Sequence, residues 1–395
     1  MAKNAIGSVL DQIGSDVDVL VSDNSTASNQ RAELSQYCEQ RADARLRYIT
    51  PPESLPMSPH WDWAMQQALS LYDASHIAFL TDRMMFRPGA LGSLIEIIKA
   101  YPDKLLTYMH DHVNDFSLPV VLHQSTWTGN LYEVDSHRLL ELSAQSVMYD
   151  SSVPRMLNCL VPRTVLETIK ERFGNFFASI APDWNFAYRS LAVVDSILFY
   201  EKAGLVHYAQ HRSNGQSAHF GIVNEAYAKF IEDLGSLPVN FAAPFPEVVT
   251  VWNAIISEYC HVKDVTRSPK FPTLSMDKYI QALAVGIDSI KDPERQQHMR
   301  FLLSARARRW HDENARRTLP DNDAKPLLQP TTEDQANVER FSTNHLEFQN
   351  SSEALDFALK HPRERSVRSD HELLIQGVQR PLPKALAQES ERKLR

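Results

Sequence analysis

The sequence predicts an α/β fold: a doubly wound, mostly parallel sheet with a C-terminal helical extension. Three observations carry this. Short apolar runs alternate with helix-like stretches through the first half, the chain turns helical after residue 216, and it becomes polar with few aromatics from about residue 312. Alternating strand and helix signals argue for βα units that return each strand parallel to the last.

The strand candidates are "VDVLVS" (17–22), "RLRYI" (45–49), "HIAFLT" (76–81) and "KLLTYM" (104–109), each rich in Val, Ile, Leu or Tyr. Helices are expected between them. "STASNQRAELSQYCEQRA" opens on Ser and Thr cap candidates. "SPHWDWAMQQALSLY" offers Ser58 as N-cap with Pro59 at the first helical position, and "RPGALGSLIEIIKAY" repeats the proline signal at Pro88. Further on, "PRTVLETIKERF" and "PDWNFAYRSLAVVDSILFY" read as two clear helices, with a strand-like "GLVHYA" after them. Residues 1–216 form the first domain in this reading and residues 217–311 the helical extension. Residues 312–395 form a polar, largely disordered tail with one short helix near Glu353 to Lys360.

Composition narrows the class of function. With 395 residues the chain can bury a sizeable core. A net charge of -8 with 43% hydrophobic residues provides no bulk positive field, so nucleic acid is not an expected partner. Cys38, Cys159 and Cys260 stand far apart with no CxxC pair, which fits a reducing, cytoplasmic setting better than a disulfide framework or a zinc cluster. No stretch reaches the roughly 20 apolar residues a membrane span needs, so any membrane role is peripheral. "SARARRW", followed by Arg316 and Arg317, could touch anionic lipid, though such a run is more often a solvated helix face.

In an open α/β sheet, ligands gather at the carboxyl ends of the strands. Two polar clusters fall there. "VSDNS" places Asp23 and Asn24 after the first strand, and "FLTDR" places Asp82 and Arg83 after the third. Asp23 could accept hydrogen bonds from a base or ribose, and Asp82 could take ribose hydroxyls or a cation. Either aspartate could instead close an Asx turn or cap a helix.

In order and spacing, "AIGSVLDQ…DVDVLVSDNSTAS", "RLRYITPPESLPMSPHWDWAMQQA", "FLTDRMMFRPGALGSL" and "SIAPDWNFAYRSLA" resemble the motifs of inverting family 2 glycosyltransferases of the GT-A fold, over about residues 2–216. The resemblance implies a GT-A-like fold, a nucleoside-diphosphate sugar as donor, and a glycan or small hydroxyl compound as acceptor. It implies Asp183 of "APDW" as general base. His211 and Arg212 of "HYAQHRSNGQS" would lie in a loop over the donor phosphates.

Three departures accompany the resemblance. The chain starts at what should be the first helix, so a central strand is expected to be missing: either the true start lies upstream or some other segment fills that slot. His60 stands where relatives often carry Asn. Asp82 matches the first carboxylate of the metal-binding DxD motif, with Arg83 and Met84 in the other two positions. A divalent Mg or Mn ion is therefore doubtful at Asp82, because Arg83 would repel it and could itself take over part of its charge on the phosphates. Arg83 could equally pair with Asp82 alone. Trp184, next to Asp183, is the candidate platform for an acceptor sugar, while Trp61 and Trp63 cannot share one helix face, so at least one belongs to the core. Two other readings stay open: a non-catalytic relative serving as a binding scaffold, and a nucleotidyltransferase.

Overall fold

The computed structural model describes residues 1–12, 16–125, 127–147, 151–220, 225–235, 241–315, 338–341, 348–363 and 377–393. The first half alternates as expected. Helix α1 (Ala2–Leu10) leads to β1 (Val19–Ser22), α2 (Ser28–Arg41), β2 (Leu46–Ile49), α3 (Met57–Leu71), β3 (His76–Ala78), β4 (Met84–Phe86) and α4 (Ala90–Ala100). Then follow β5 (Leu106–Asn114), β6 (Val121–Ser125), β7 (Leu131–Asp135), α5 (Ser136–Ala144), β8 (Cys159–Pro162), α6 (Arg163–Phe173), α7 (Pro182–Val193) and β9 (Ser196–His207).

The fold is α/β. Its larger sheet is built on β5 and β9, which run parallel from Leu106 opposite Leu198 to His112 opposite His207. β6, β7 and β8 flank this spine antiparallel, and β4 pairs antiparallel with the end of β9. Parallel order is therefore confined to the spine and to β1–β2, which form a separate two-stranded sheet. No described segment joins the two sheets by strand pairing. Helix α1 spans them instead. Ile6 and Leu10 pack beside Val19 and Val21, while Val9 packs among Met84 and Phe86.

Several element ends differ from expectation for identifiable reasons. The Ser58 hydroxyl does not cap α3; it donates to the Ser179 carbonyl at 2.7 Å, and the helix begins at Met57, two residues before the expected Pro59. Helix α4 starts after Pro88, behind Gly89 at φ 74, a left-handed conformation that glycine tolerates. The segment expected as one helix to Tyr200 breaks at Val194: α7 ends there, and the β-branched and aromatic run "SILFY" becomes the start of β9. Pro182 does occupy the first turn of α7.

After the first half come a 3₁₀ turn (Gln210–Arg212), α8 (Asn214–Phe220), α9 (Glu225–Gly235), α10 (Val251–Thr266), α11 (Met276–Asp288) and α12 (Pro293–Ala315). This helical extension shares the first core. Ile255, Tyr259 and Val262 of α10 are buried in the same cluster as Phe186 and Tyr188 of α7. A smaller cluster, with Tyr279, Leu283, Met299 and Leu303, ties α10 to α11 and α12.

The tail adds β10 (Val338–Phe341), α13 (Ser351–Lys360), β11 (Val378–Arg380) and α14 (Lys384–Lys393). The expected short helix is α13, and it is part of the core rather than an appendage. Ala354, Leu355 and Ala358 pack on Val113, Leu122 and Val206 of the sheet. The Arg87 guanidinium reaches both the buried Asp111 carboxylate and the Ala358 carbonyl, so a paired internal charge fastens the helix to β5. Residues 316–337, 342–347 and 364–376 of the expected tail lie outside the described residues, as do Arg316 and Arg317. Among the described residues no helix is long and apolar enough to cross a membrane.

Candidate functional site

The carboxyl end of β1 is a hydrogen-bonded knot. Asp23, almost fully buried, accepts the Ser25 backbone N–H at 2.8 Å and the Tyr48 hydroxyl at 2.7 Å. Burial opposes its ionisation, but the bonds from Ser25 and Tyr48, with Arg31 nearby, outweigh that and hold the carboxyl below its usual range. Asn24 is used at both ends by Leu55: its amide donates to the carbonyl at 2.7 Å and its oxygen accepts the N–H at 3.0 Å. The expected donor contacts thus begin with one carboxylate already engaged in an Asx turn and one amide committed to holding the 50–56 loop. His60, one of the departures, sits 2.8 Å from the Ser22 hydroxyl, and burial pushes its imidazole down to about 4, against the pull of Asp23.

The end of β3 is built differently. Asp82 is exposed. Arg83 is half-buried, and among the described residues its guanidinium has neither a hydrogen-bond nor an ion-pair partner, Asp82 included. Burial lowers its guanidinium from the usual value; Asp82 and Asp115 oppose the shift and Arg212 adds to it. Asp115 is occupied elsewhere. Its carboxylate accepts the His211 N–H and faces the His211 Nδ1, both at 2.9 Å, and it also takes the Ser351 hydroxyl at the start of α13. Arg212 thus stands near Arg83, and Asp115, which also lies near Arg83, orients His211.

Asp183 lies in the first turn of α7, on a loop held from two sides. From α3, Ser58 donates to Ser179, and the Asp62 carboxylate accepts the N–H groups of Phe176 at 2.6 Å and Phe177 at 3.4 Å. From α10, the fully buried Glu258 accepts the Ala181 N–H at 3.3 Å and the Asn185 amide at 2.8 Å. Burial raises the Glu258 carboxyl to about 7, although Asn185, Ser179, Ala181 and Arg189 pull it down. Trp184 does not form an open platform: it is 6% exposed, packed 6.1 Å from the Tyr188 ring, with the Arg155 guanidinium 5.3 Å over its face. As the third residue of α7 it turns into the core while its neighbour Asp183 stays half-buried. Of the other two tryptophans, Trp61 belongs to an aromatic cluster with Phe79 at 4.9 Å and Phe177 at 5.6 Å, and Trp63 stacks on His60 at 6.3 Å.

Helix α3 ties these parts together. Successive residues His60, Trp61 and Asp62 touch the end of β1, the end of β3 and the loop before Asp183. Sequence reasoning missed Asp62, Glu258 and Asp115. The first stood in view inside "SPHWDW", but the other two lie 75 residues beyond and 68 residues before Asp183 with no motif to mark them. As for a metal, among the described residues no group of three or more His, Cys, Asp or Glu side chains is arranged to hold one. One exposed carboxylate beside an arginine is a poor donor set for Mg²⁺ or Mn²⁺.

Fold and site together define an α/β protein with polar clusters at its strand ends, one of them holding a half-buried arginine whose guanidinium has no partner among the described residues. No family model matches the chain, and no curated protein matches it. Among solved structures it is similar to S. aureus TarS 1-349 in complex with UDP-GlcNAc, at 14% identity over 82% of this chain and 90% of that one, TM-score 0.43. The same fragment in complex with UDP is similar at 13% identity over 82% and 90%, TM-score 0.42. S. aureus TarS matches at 14% identity over 79% of this chain and 51% of its own, TM-score 0.41. A likeness this loose says nothing of substrate, so function has to be argued from the residues.

Proposed function

We propose that the chain is a GT-A-like glycosyltransferase that moves a sugar, with inversion, from a nucleoside-diphosphate donor to a hydroxyl on a glycan or small acceptor. One observation carries this: the half-buried guanidinium of Arg83, in the turn before β4, has no hydrogen-bond or ion-pair partner among the described residues. A guanidinium is permanently charged, and leaving it half-buried and unpaired costs free energy that an incoming phosphate would recover through bidentate bonds. Arg83, with Arg212 and His211, would neutralise the leaving diphosphate in place of a metal ion. Asp23 retains lone pairs for a base or ribose hydroxyl, and Asp183, at the positive end of α7, would take the proton from the acceptor.

The saturated Asn24 and the buried Trp184 favour a second reading, a non-catalytic binding protein on the same scaffold. A thermal-shift screen with UDP, GDP and dTDP, with and without Mn²⁺, tests the proposal. The expected result is stabilisation by one of them, unchanged by Mn²⁺. No shift with any nucleotide would remove the donor site, and a shift that requires Mn²⁺ would remove Arg83 as the substitute cation.

A further inference from the structure

Beside Arg83 runs a row of four imidazoles that the proposed reaction does not use. His112 of β5 stands opposite His207 of β9 and opposite His123 of β6, so the three share one face of adjacent strands. His110, two residues earlier on β5, joins them on that face. The rings lie in stacked pairs, His112 on His123 at 4.4 Å and His110 on His207 at 4.6 Å, inclined by 12° and 23°. All four are half-buried. The row adjoins Arg83 through the backbone: His207 pairs with Met84, and the Tyr208 N–H donates to the Arg83 carbonyl at 3.0 Å.

The charges facing His207 are one-sided. From β5 come His110 and His112, from the turn before β4 comes Arg83, and from the 151–158 loop comes Arg155. Asp82 and Asp115 lie about Arg83, where Arg212 also stands, and His123 closes the row on the β6 side. Burial, reinforced by these cations and rings, holds His207 well below the usual imidazole range. His112, for the same reasons with His123 and His110 as neighbours, sits at about 3. Among the described residues the His207 Nε2 is buried without a hydrogen-bond partner, a costly arrangement for a group that any apolar side chain could replace in packing. A divalent metal on the row would meet the repulsion of Arg83 and Arg155. An oxyanion would instead accept an N–H from an imidazole and, by supplying negative charge, favour a proton on it.

We propose that Arg83 and the His110–His112–His123–His207 row form a proton-coupled oxyanion site, in which an imidazole of the row gains one proton as a divalent oxyanion such as a phosphate group binds. The proposal deepens the donor reading, since it shares Arg83 with it and makes donor-phosphate binding tighter as pH falls. Its test uses sulfate, which is not a nucleotide and carries no proton that titrates near neutrality, so it stands whether or not any nucleotide binds.

The melting temperature of the full chain is measured in sodium sulfate and in sodium chloride of equal ionic strength, at pH 7.5 and pH 5.5. The sulfate-minus-chloride difference should grow by about 3 °C at the lower pH, the scale expected for a modest linkage effect in a domain of this size. In His207→Gln and in Arg83→Gln, whose side chain is half-exposed, the growth should vanish, leaving the pH-independent effect of sulfate on any protein. A difference that is the same at both pH values, or one that grows as much in Arg83→Gln as in the parent, overturns the proposal. So does stabilisation by Zn²⁺ at pH 7.5 that His207→Gln abolishes, because it would make the row a metal site. A positive sulfate result with a negative nucleotide screen would leave the oxyanion site standing and remove the donor reading.

Discussion

Arg83 and Asp183 occupy opposite ends of the proposed reaction, and their substitutions should separate accordingly. In the proposed reaction Arg83 would contact the donor phosphates in both ground and transition states, so Arg83→Gln should weaken nucleotide binding by roughly 10-fold or more, the worth of a charge-assisted contact. Asp183→Asn keeps the size of the side chain but removes the base, so it should lower turnover by 10²-fold or more and leave nucleotide affinity unchanged. Calorimetric affinity and a donor-turnover assay on both variants make the check. Full turnover in Asp183→Asn would remove it as base, and unchanged nucleotide affinity in Arg83→Gln would remove it from the donor site. The places of these two residues, before β4 and in the first turn of α7, were legible in the sequence because each sits at the end of an element with a clear local signal. The fates of Asn24 and Trp184 were not legible. Asn24 is decided by Leu55, 31 residues on, and Trp184 by the packing of Tyr188 and Arg155 around it.

At the scale of elements, α3 organises the crevice while contributing no residue to the proposed chemistry. Its Asp62 carboxylate holds two backbone N–H groups of the loop that delivers Asp183, and Phe176 and Phe177 are themselves buried there. Asp62→Ala should therefore cost about 2 kcal/mol of stability, the penalty for orphaned buried donors. It should also raise the acceptor KM more than the donor KM, because the loop it frees lies on the acceptor side. Urea unfolding and initial rates at varied acceptor concentration would show this; a donor KM that moves as much as the acceptor KM would contradict it. The helices and first strands were readable from periodicity and proline signals. Their limits were not, where a tertiary partner overrode the local signal: Ser58 abandons its cap for Ser179, and "SILFY" leaves the helix pattern to line β9. The role of α13 was unreadable for a related reason, since a short amphipathic helix in a polar tail does not reveal which surface it covers.

The molecule as a whole combines buried groups that titrate in opposite directions, and their balance sets its response to pH. His60 at about 4, His112 at about 3 and His207 well below the usual value are all depressed by burial, so the unfolded chain binds their protons more readily than the folded one. Each contributes stability that is fully present above about pH 6.5 and drains away as pH falls below it. Glu258, raised by burial to about 7, works the other way: it favours the folded state below its unfolded value, and that advantage is lost as pH rises through 7. Asp43 and Glu133, each held near 2 by hydrogen bonds from Arg45 and from Lys104 with Ser196, are ionised throughout this window and do not enter it. Between pH 7 and pH 5.5 these three histidines, joined in the same direction by His76, His219 and His261, which burial also lowers, outweigh Glu258, and unfolding free energy should fall by about 2 kcal/mol or more in chloride buffers. Glu258→Gln removes the counterweight, so its loss over the same interval should be nearly twice as large even if its stability at pH 7 differs from that of the parent. Urea titrations of both proteins at the two pH values decide the matter. A parent whose stability is flat or rises on acidification would mean that the imidazoles are more hydrated than their burial implies, and an unchanged slope in Glu258→Gln would mean that Glu258 is already ionised in the fold.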